Sequence, residues 1–369
     1  MEKKIMRKKT LIGVGLFVVI FSALLALASI YDLQVSQKLA TSHLSGLYYA
    51  NPDFMFGLTL EAFGSFPAWL AIAVFGAIIY ANAMNSSLFL AKDGKDKNLT
   101  VLNTISAVVG LIAVVGALYF LFSDCFKYFL KYALNYEVKH YTAYFGTSLL
   151  LSVVMSPFFV RYFTSMSEEK FTALKTIAWI IVVAFITRIF IEGIKAPIGR
   201  MRFRAMDCLG DFSYYTPWYV INGSRSLLDI NINPALLEEY FTATNSTMAN
   251  FSMESYLTYC HIPIWEFKDA CRSFPSGHTF AAGMTYVFIC LPDINKKYDN
   301  VVGRFLCWLL PTVFTGLVAI SRIMVGAHYF SDVLFGGTIV YLGVIIGREI
   351  FIFKGAHIKC FMKDKPTKA

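Results

Sequence analysis

The sequence predicts an all-α protein: a polytopic transmembrane helix bundle of about eight spans, with a long extracytoplasmic segment between spans five and six. Three observations lead there. Of the 369 residues, 57% are hydrophobic and only 15% charged, a more apolar and less charged balance than soluble domains show. The apolar residues fall in continuous blocks close to the roughly 20 residues a helix needs to cross a bilayer, not in the alternating pattern of a membrane barrel. Backbone in lipid must satisfy its own hydrogen bonds, so the blocks are helices. The net charge of +9 sits in short connections and tails, as membrane topology requires. That distribution argues against a nucleic-acid partner.

The elements follow in order. The amino terminus is basic, with Lys3, Lys4, Arg7, Lys8 and Lys9, and the first span covers 11–30. Ala26-Leu27-Ala28 has the small-x-small form of a cleavage site, but the apolar run exceeds the core of about 7–15 residues of a signal peptide, which favours a retained span. The connection 31–65 has Lys38 as its single Lys or Arg. Spans two to five cover 66–84, 101–122, 143–160 and 172–194; Lys92, Lys95 and Lys97 follow the second, Arg161 the fourth and Lys195 the fifth. A long polar segment occupies 196–274. The sixth span is 275–291, followed by Lys296 and Lys297; the seventh is 301–320. The eighth is 329–353, ahead of a tail with Lys354, Lys359, Lys363, Lys365 and Lys368. The chain divides into motif-free amino-terminal spans, 1–170, and a motif-bearing part, 171–369, with the extracytoplasmic loop 196–274.

Eight spans put both termini on one side, and the Lys92, Arg161 and Lys296 connections fall there too. By the positive-inside rule that side is cytoplasmic. The ends of spans five and seven and the starts of spans six and eight then share the opposite face. Three polar stretches lie at those ends: Lys195-Ala196-Pro197-Ile198-Gly199-Arg200-Met201-Arg202-Phe203, Phe274-Pro275-Ser276-Gly277-His278-Thr279, and the run from Ser321-Arg322 through His328 to Asp332.

Their chemistry is that of phosphoryl transfer, which needs charge neutralisation, an in-line nucleophile and an acid for the leaving group. Lys195, Arg202 and Arg322 supply fixed positive charge, and a guanidinium fork fits phosphate oxygens. Ser276 and Gly277 open a helix whose free N–H groups and dipole favour an anion, and Gly277 allows close approach to the backbone. His328 and Asp332, at i and i+4, share a helix face, so the carboxylate can hold one ring nitrogen and leave the other to attack. His278 is then the acid. Arg188 and Glu192 read as a self-neutralising pair inside span five.

These three stretches resemble the signature of the type 2 phosphatidic acid phosphatase family: K-x6-R-P, then P-S-G-H, then S-R-x5-H-x3-D. The second and third match at every position; in the first, Phe203 replaces the usual Pro. The resemblance covers roughly 175–353. It implies His328 as nucleophile through a phosphohistidine, His278 as acid, Asp332 as orienter, and no metal or other cofactor. It implies as substrate a membrane lipid phosphate, such as a polyprenyl pyrophosphate, phosphatidic acid or phosphatidylglycerophosphate. The family usually has six core spans, so two here are additional. A soluble sugar phosphate, as in the glucose-6-phosphatases, is a minor alternative. Phosphotransfer to another acceptor would use the same site, and an inactive lipid-binding or transport protein is the reading from another class. A zinc triad of His278, His328 and Asp332 is disfavoured because three fixed cations crowd the same pocket.

Loop 196–274 carries Tyr214, Tyr215, Trp218, Tyr219 and Trp265, which suit either a lid at headgroup level or a small core of the segment's own. Phe203 is expected in the membrane interface. Asn222, Asn245 and Asn250 begin glycosylation triplets. Cys260–Cys271 is the favoured disulfide if the compartment is oxidising. Oligomeric state is open.

Overall fold

A computed structural model describes residues 2–40, 55–93, 97–133 and 141–361. Of the basic positions named above, Lys95, Lys363, Lys365 and Lys368 lie outside these residues. The amino-terminal half is helical: α1 (Glu2–Leu39), α2 (Met55–Gly64), α3 (Phe66–Asp93), α4 (Lys97–Ala133), α5 (Tyr141–Thr164) and α6 (Glu168–Ile198). Short helices α7 (Phe203–Leu209), α8 (Pro234–Thr244) and α9 (Met253–Tyr259) follow. Then come α10 (Gly277–Gly283), α11 (Leu291–Ile294), α12 (Val301–Met324), α13 (Phe330–Phe351) and α14 (Ala356–Lys359).

Among the described residues seven helical stretches are long and apolar enough to cross a membrane. They match seven of the eight expected spans. The expected span 275–291 is built differently. α10 passes into the 3-10 stretch Met284–Cys290 and then α11, where Pro292 stands in the first turn. A 3-10 helix rises about 2.0 Å per residue against 1.5 Å in an α-helix. These 7, 7 and 4 residues therefore reach about 30 Å, close to the hydrocarbon thickness.

Close packing explains why small residues stand where they do. On α13, a Cβ at Gly343 would lie 2.9 Å from Ala184 Cα, and one at Gly347 3.0 Å from Ile180 Cα. The two backbones of α6 and α13 approach through glycine, the usual device where lipid gives no hydrophobic drive between helices. Ile180, Ala184, Phe280, Val340 and Val344 fill the core between them. α3 and α4 meet the same way: a Cβ on Gly76 would lie 2.8 Å from the Gly110 carbonyl oxygen. α1 is mostly bare, with Leu16 and Val19 exposed. It is held by Phe17 on Tyr341 and Phe21 on Phe335, each 5.8 Å between ring centroids.

Segment 196–274 folds around a core of its own, which includes Phe203, Met206, Leu227, Tyr256 and Phe267. Phe203 is 1% exposed and stacks on Phe212 at 5.5 Å, so it sits in this core and not in the membrane interface. Trp218 packs at a tilt on Phe335, with ring centroids 4.9 Å apart, and donates Nε1–H to Ser29 Oγ at 2.9 Å. It ties the segment to α13 and α1. Tyr219 is exposed; the Trp265 side chain lies outside the described residues. Asn222 is structural, donating to the Ile198 carbonyl at 2.8 Å and to Thr216 Oγ1 at 3.0 Å. All seven cysteines are free thiols, Cys260 and Cys271 included, which corrects the expected disulfide.

Candidate active site

The site begins where α6 stops. Gly199 adopts the left-handed conformation, φ 56°, and its N–H bonds the Lys195 carbonyl. A Cβ there would lie 2.0 Å from the Gly223 carbonyl oxygen, so only glycine fits. Lys195 in the last turn complements the helix dipole. Past the turn, three arginines two positions apart do three different things. Arg200 is fully buried, with NH1 on Asp332 at 2.6 Å and NH2 on Asp32 of α1 at 2.9 Å. Arg202 bonds both Glu266 oxygens at 3.0 and 3.1 Å and Asp269 at 2.6 Å. Arg204 bonds the other side of Glu266, at 3.2 and 2.8 Å. Arg202 also caps α7, which makes Phe203 its first helical residue. Proline is tolerated at that position because the N–H has no helical partner, so the Pro of the signature would fit this backbone as Phe203 does.

The second stretch rests on α13. The Ser276 N–H donates to the Asp332 carbonyl at 2.9 Å, and a Cβ on Gly336 would lie 2.4 Å from the Ser276 carbonyl oxygen. Ser276 was expected on the phosphate. Instead its hydroxyl caps α10, accepting from Thr279 N–H at 3.3 Å. That is what a serine at this position does best.

The third stretch departs from expectation in its key contact. The His328 Nδ1 lies 2.6 Å from the Ser273 carbonyl oxygen and 3.7 Å from Asp332 Oδ2. A carbonyl only accepts, so Nδ1 carries the proton and Nε2 is the lone-pair nitrogen. Asp332 acts one step further back. Its Oδ2 accepts from Tyr329 N–H at 2.8 Å and from the Ser273 hydroxyl, and its Oδ1 accepts from Arg200. The reason is steric order: Asp332 is the third residue of α13 and caps that helix, while Ser273 reaches the ring first. Burial pushes the His328 imidazole down to about 4, against the pull of Asp332, so the ring is neutral at ordinary pH.

Lys195, Arg202, Gly277, His278 and His328 line one cavity of about 410 Å³, within the usual range for a small-molecule site. Arg188 and Arg272 line it too. Arg188 does pair with Glu192, at 2.6 Å, but it also donates to the Gly277 carbonyl at 3.2 Å. Phe185, Phe280 and Ile72 give the cavity an apolar flank. Ser276, Arg322 and Asp332 are not on the wall. Arg322 is 1% exposed and pairs with Glu61 of α2 at 3.0 Å. Its Nε and NH2 have no partner among the described residues.

Three acids from the amino-terminal half were not found from the sequence. Asp32 holds Arg200 and accepts from Ser331 N–H at 2.8 Å. Glu61 holds Arg322. Asp124 of α4 lines the cavity. The signal available was an acid close to or inside an apolar helix, which is costly without a partner.

Residues 238–358 match the family model described as PAP2 superfamily. The match takes in Ser276 to His278 and Arg322 to Asp332 but not Lys195 or Arg202. Among curated proteins, Lipid phosphate phosphatase 1 of Arabidopsis thaliana is 32% identical over 98 residues, 26% of this chain and 28% of the relative. The chain thus aligns with little more than a quarter of that relative's length. No solved structure matches.

Proposed function

We propose that the chain is a member of the PAP2 superfamily, the type 2 phosphatidic acid phosphatases, whose family model residues 238–358 match, and that it is an integral membrane lipid phosphatase. It hydrolyses a lipid phosphomonoester or pyrophosphate at the extracytoplasmic or lumenal face, with both termini cytoplasmic. Polyprenyl pyrophosphate, phosphatidic acid and phosphatidylglycerophosphate all have the required group. The observation that carries this reading is the neutral His328 with its Nδ1 proton on the Ser273 carbonyl, in a cavity walled by Lys195, Arg202, Arg188 and Arg272.

In the proposed cycle His328 Nε2 attacks phosphorus and the P–O bond to the lipid breaks. His278 gives its proton to the departing oxygen. Water then attacks the phosphohistidine, loses a proton to His278, and inorganic phosphate leaves. The wall cations hold the non-bridging oxygens throughout. Asp332 is a positioning residue: through the Ser273 hydroxyl it fixes the carbonyl that orients His328. Both of its oxygens are engaged, which makes it a poor ligand for a metal ion, and the proposed cycle uses none. Phosphotransfer would differ only in the acceptor replacing water.

The test is phosphate release from a lipid panel in EDTA, with nitrophenyl phosphate alongside. His328→Ala should be inactive on every substrate. His278→Ala should lose roughly 10²–10⁴-fold on a lipid monophosphate, the worth of general acid catalysis. On nitrophenyl phosphate, whose leaving group is stable without a proton, it should lose far less. Equal losses would remove His278 from the acid role, and full loss in EDTA restored by zinc would overturn the metal-free scheme. An inactive binding protein would release no phosphate from any lipid.

A further inference from the structure

Asp124 is a carboxylate on the wall of a cavity built for anions. Lys195, Arg188, Arg202 and Arg272 line the same cavity, and phosphate would be repelled by any negative charge left unbalanced there. The other acids nearby are balanced: Asp269 by Arg202 at 2.6 Å, and Glu192 by Arg188 and Lys195 at 2.6 and 3.0 Å. Asp124 is not. It receives two neutral donors, the Ser65 hydroxyl at 3.0 Å and the Trp69 indole N–H at 2.8 Å, both on Oδ2. Among the described residues no cation pairs with it, and Oδ1 accepts no hydrogen bond. Two donors on one oxygen fix the carboxylate plane and leave the other oxygen open. Trp69 is itself fixed by stacking on Phe120 at 4.8 Å.

We propose that Asp124 is a specificity-determining residue that recognises a hydrogen-bond donor, a hydroxyl or an ammonium, on the leaving group of the lipid phosphate. This rests on the phosphatase reading above. An acid with an unengaged oxygen in a phosphate pocket costs affinity for a substrate that brings only negative charge, and gains it for one that brings a donor. The preferred substrate is therefore an amphiphile with a donor near the phosphoester, and a bare polyprenyl or dialkyl phosphate is a poorer one. α4 lies outside the stretch that matches the PAP2 family model. The shared core would supply the chemistry and the amino-terminal helices the choice of lipid.

The experiment uses the full-length protein and matched long-chain alkyl phosphates carrying hydrogen, hydroxyl or ammonium at the second or third carbon. The wild type should favour the donor-bearing members in kcat/KM. Asp124→Ala should lose roughly 10–100-fold on those, the worth of a hydrogen bond to a charged group, and be faster on the unsubstituted phosphate, which no longer meets a carboxylate. Asp124→Asn keeps an oxygen for Ser65 and Trp69 but removes the charge. It should lose as much as Ala on the ammonium member and only a few-fold on the hydroxyl member. Equal loss on all three phosphates for Asp124→Ala, with Asp124→Asn restoring all three, would make Asp124 only an anchor for Trp69 and overturn the proposal. So would wild-type rates that are the same across the series. A wild type that releases phosphate from no member would instead overturn the phosphatase reading itself.

Discussion

Arg200 and Arg202 are two residues apart and end in different environments. Arg200 is sealed among Asp32, Asp332, Ser331 and the Tyr329 ring, 3.9 Å from its guanidinium carbon. Arg202 shares Glu266 with Arg204 and reaches the cavity. One cluster of charge is closed among buried acids; the other is also paired but borders the cavity. Charge type and spacing do not separate them. What separates them is whether the guanidinium borders the cavity. A closed cluster serves stability and placement, and an open one serves binding.

The largest effect should come from the open side. His328→Ala should lower kcat roughly 10⁴-fold or more, as loss of a nucleophile does, with an unchanged melting temperature in detergent. A large melting shift would put His328 in the closed class. Next comes the pair Lys195→Ala and Arg200→Ala. Lys195→Ala should cost about 10²–10³-fold in kcat/KM and little stability, because its partner Glu192 is part exposed and the bridge is weak. Arg200→Ala leaves two buried carboxylates without their cation and should cost about 3–5 kcal/mol in denaturant unfolding. Reversal of these two outcomes would break the distinction.

The pH profile sharpens it further. His328 attacks only when Nε2 is unprotonated. Burial moves its titration down to about 4, below its ordinary range, so the neutral form persists as pH falls from 6.5 toward 4. After correction for ionisation of the substrate phosphate, kcat/KM should hold to about pH 4 and then fall tenfold per pH unit. A limb near 6.5 would mean an imidazole exposed to water. The smallest effect is Ser273→Ala. It keeps the carbonyl on Nδ1 and removes only the hydroxyl on Asp332, so activity should fall roughly tenfold, far less than for His328→Ala.

The fold class and seven of the spans were legible because lipid imposes a simple rule on length and apolarity. The convergence of Lys195, Arg202, Gly277, His278 and His328 was legible because alternation of spans carries their ends to one face. The partner of His328 was not, since a backbone carbonyl has no signature in sequence. Nor were Asp32, Glu61 and Asp124. Each acts on a residue or cavity far along the chain, and no local period marks such pairs. Arg200 and Arg202 could not be told apart for the same reason: the acids that decide between them are Asp32, Asp332 and Glu266.

Asp32 also bears on how the protein is made. It meets Arg200 168 positions later and Ser331 299 positions later. At the usual pace of synthesis, about 5–20 residues per second, α1 waits roughly 15–60 s in the bilayer for α13 to emerge. Until then its carboxylate lacks the partners that bury it, and Asp332 does not yet exist to be placed. The two ends of the chain close one cluster, so catalysis is possible only after the whole bundle has assembled. A nascent chain interrupted before α13 has no active site to misuse, and it displays an unpaired acid at the end of a membrane helix until it is completed or destroyed.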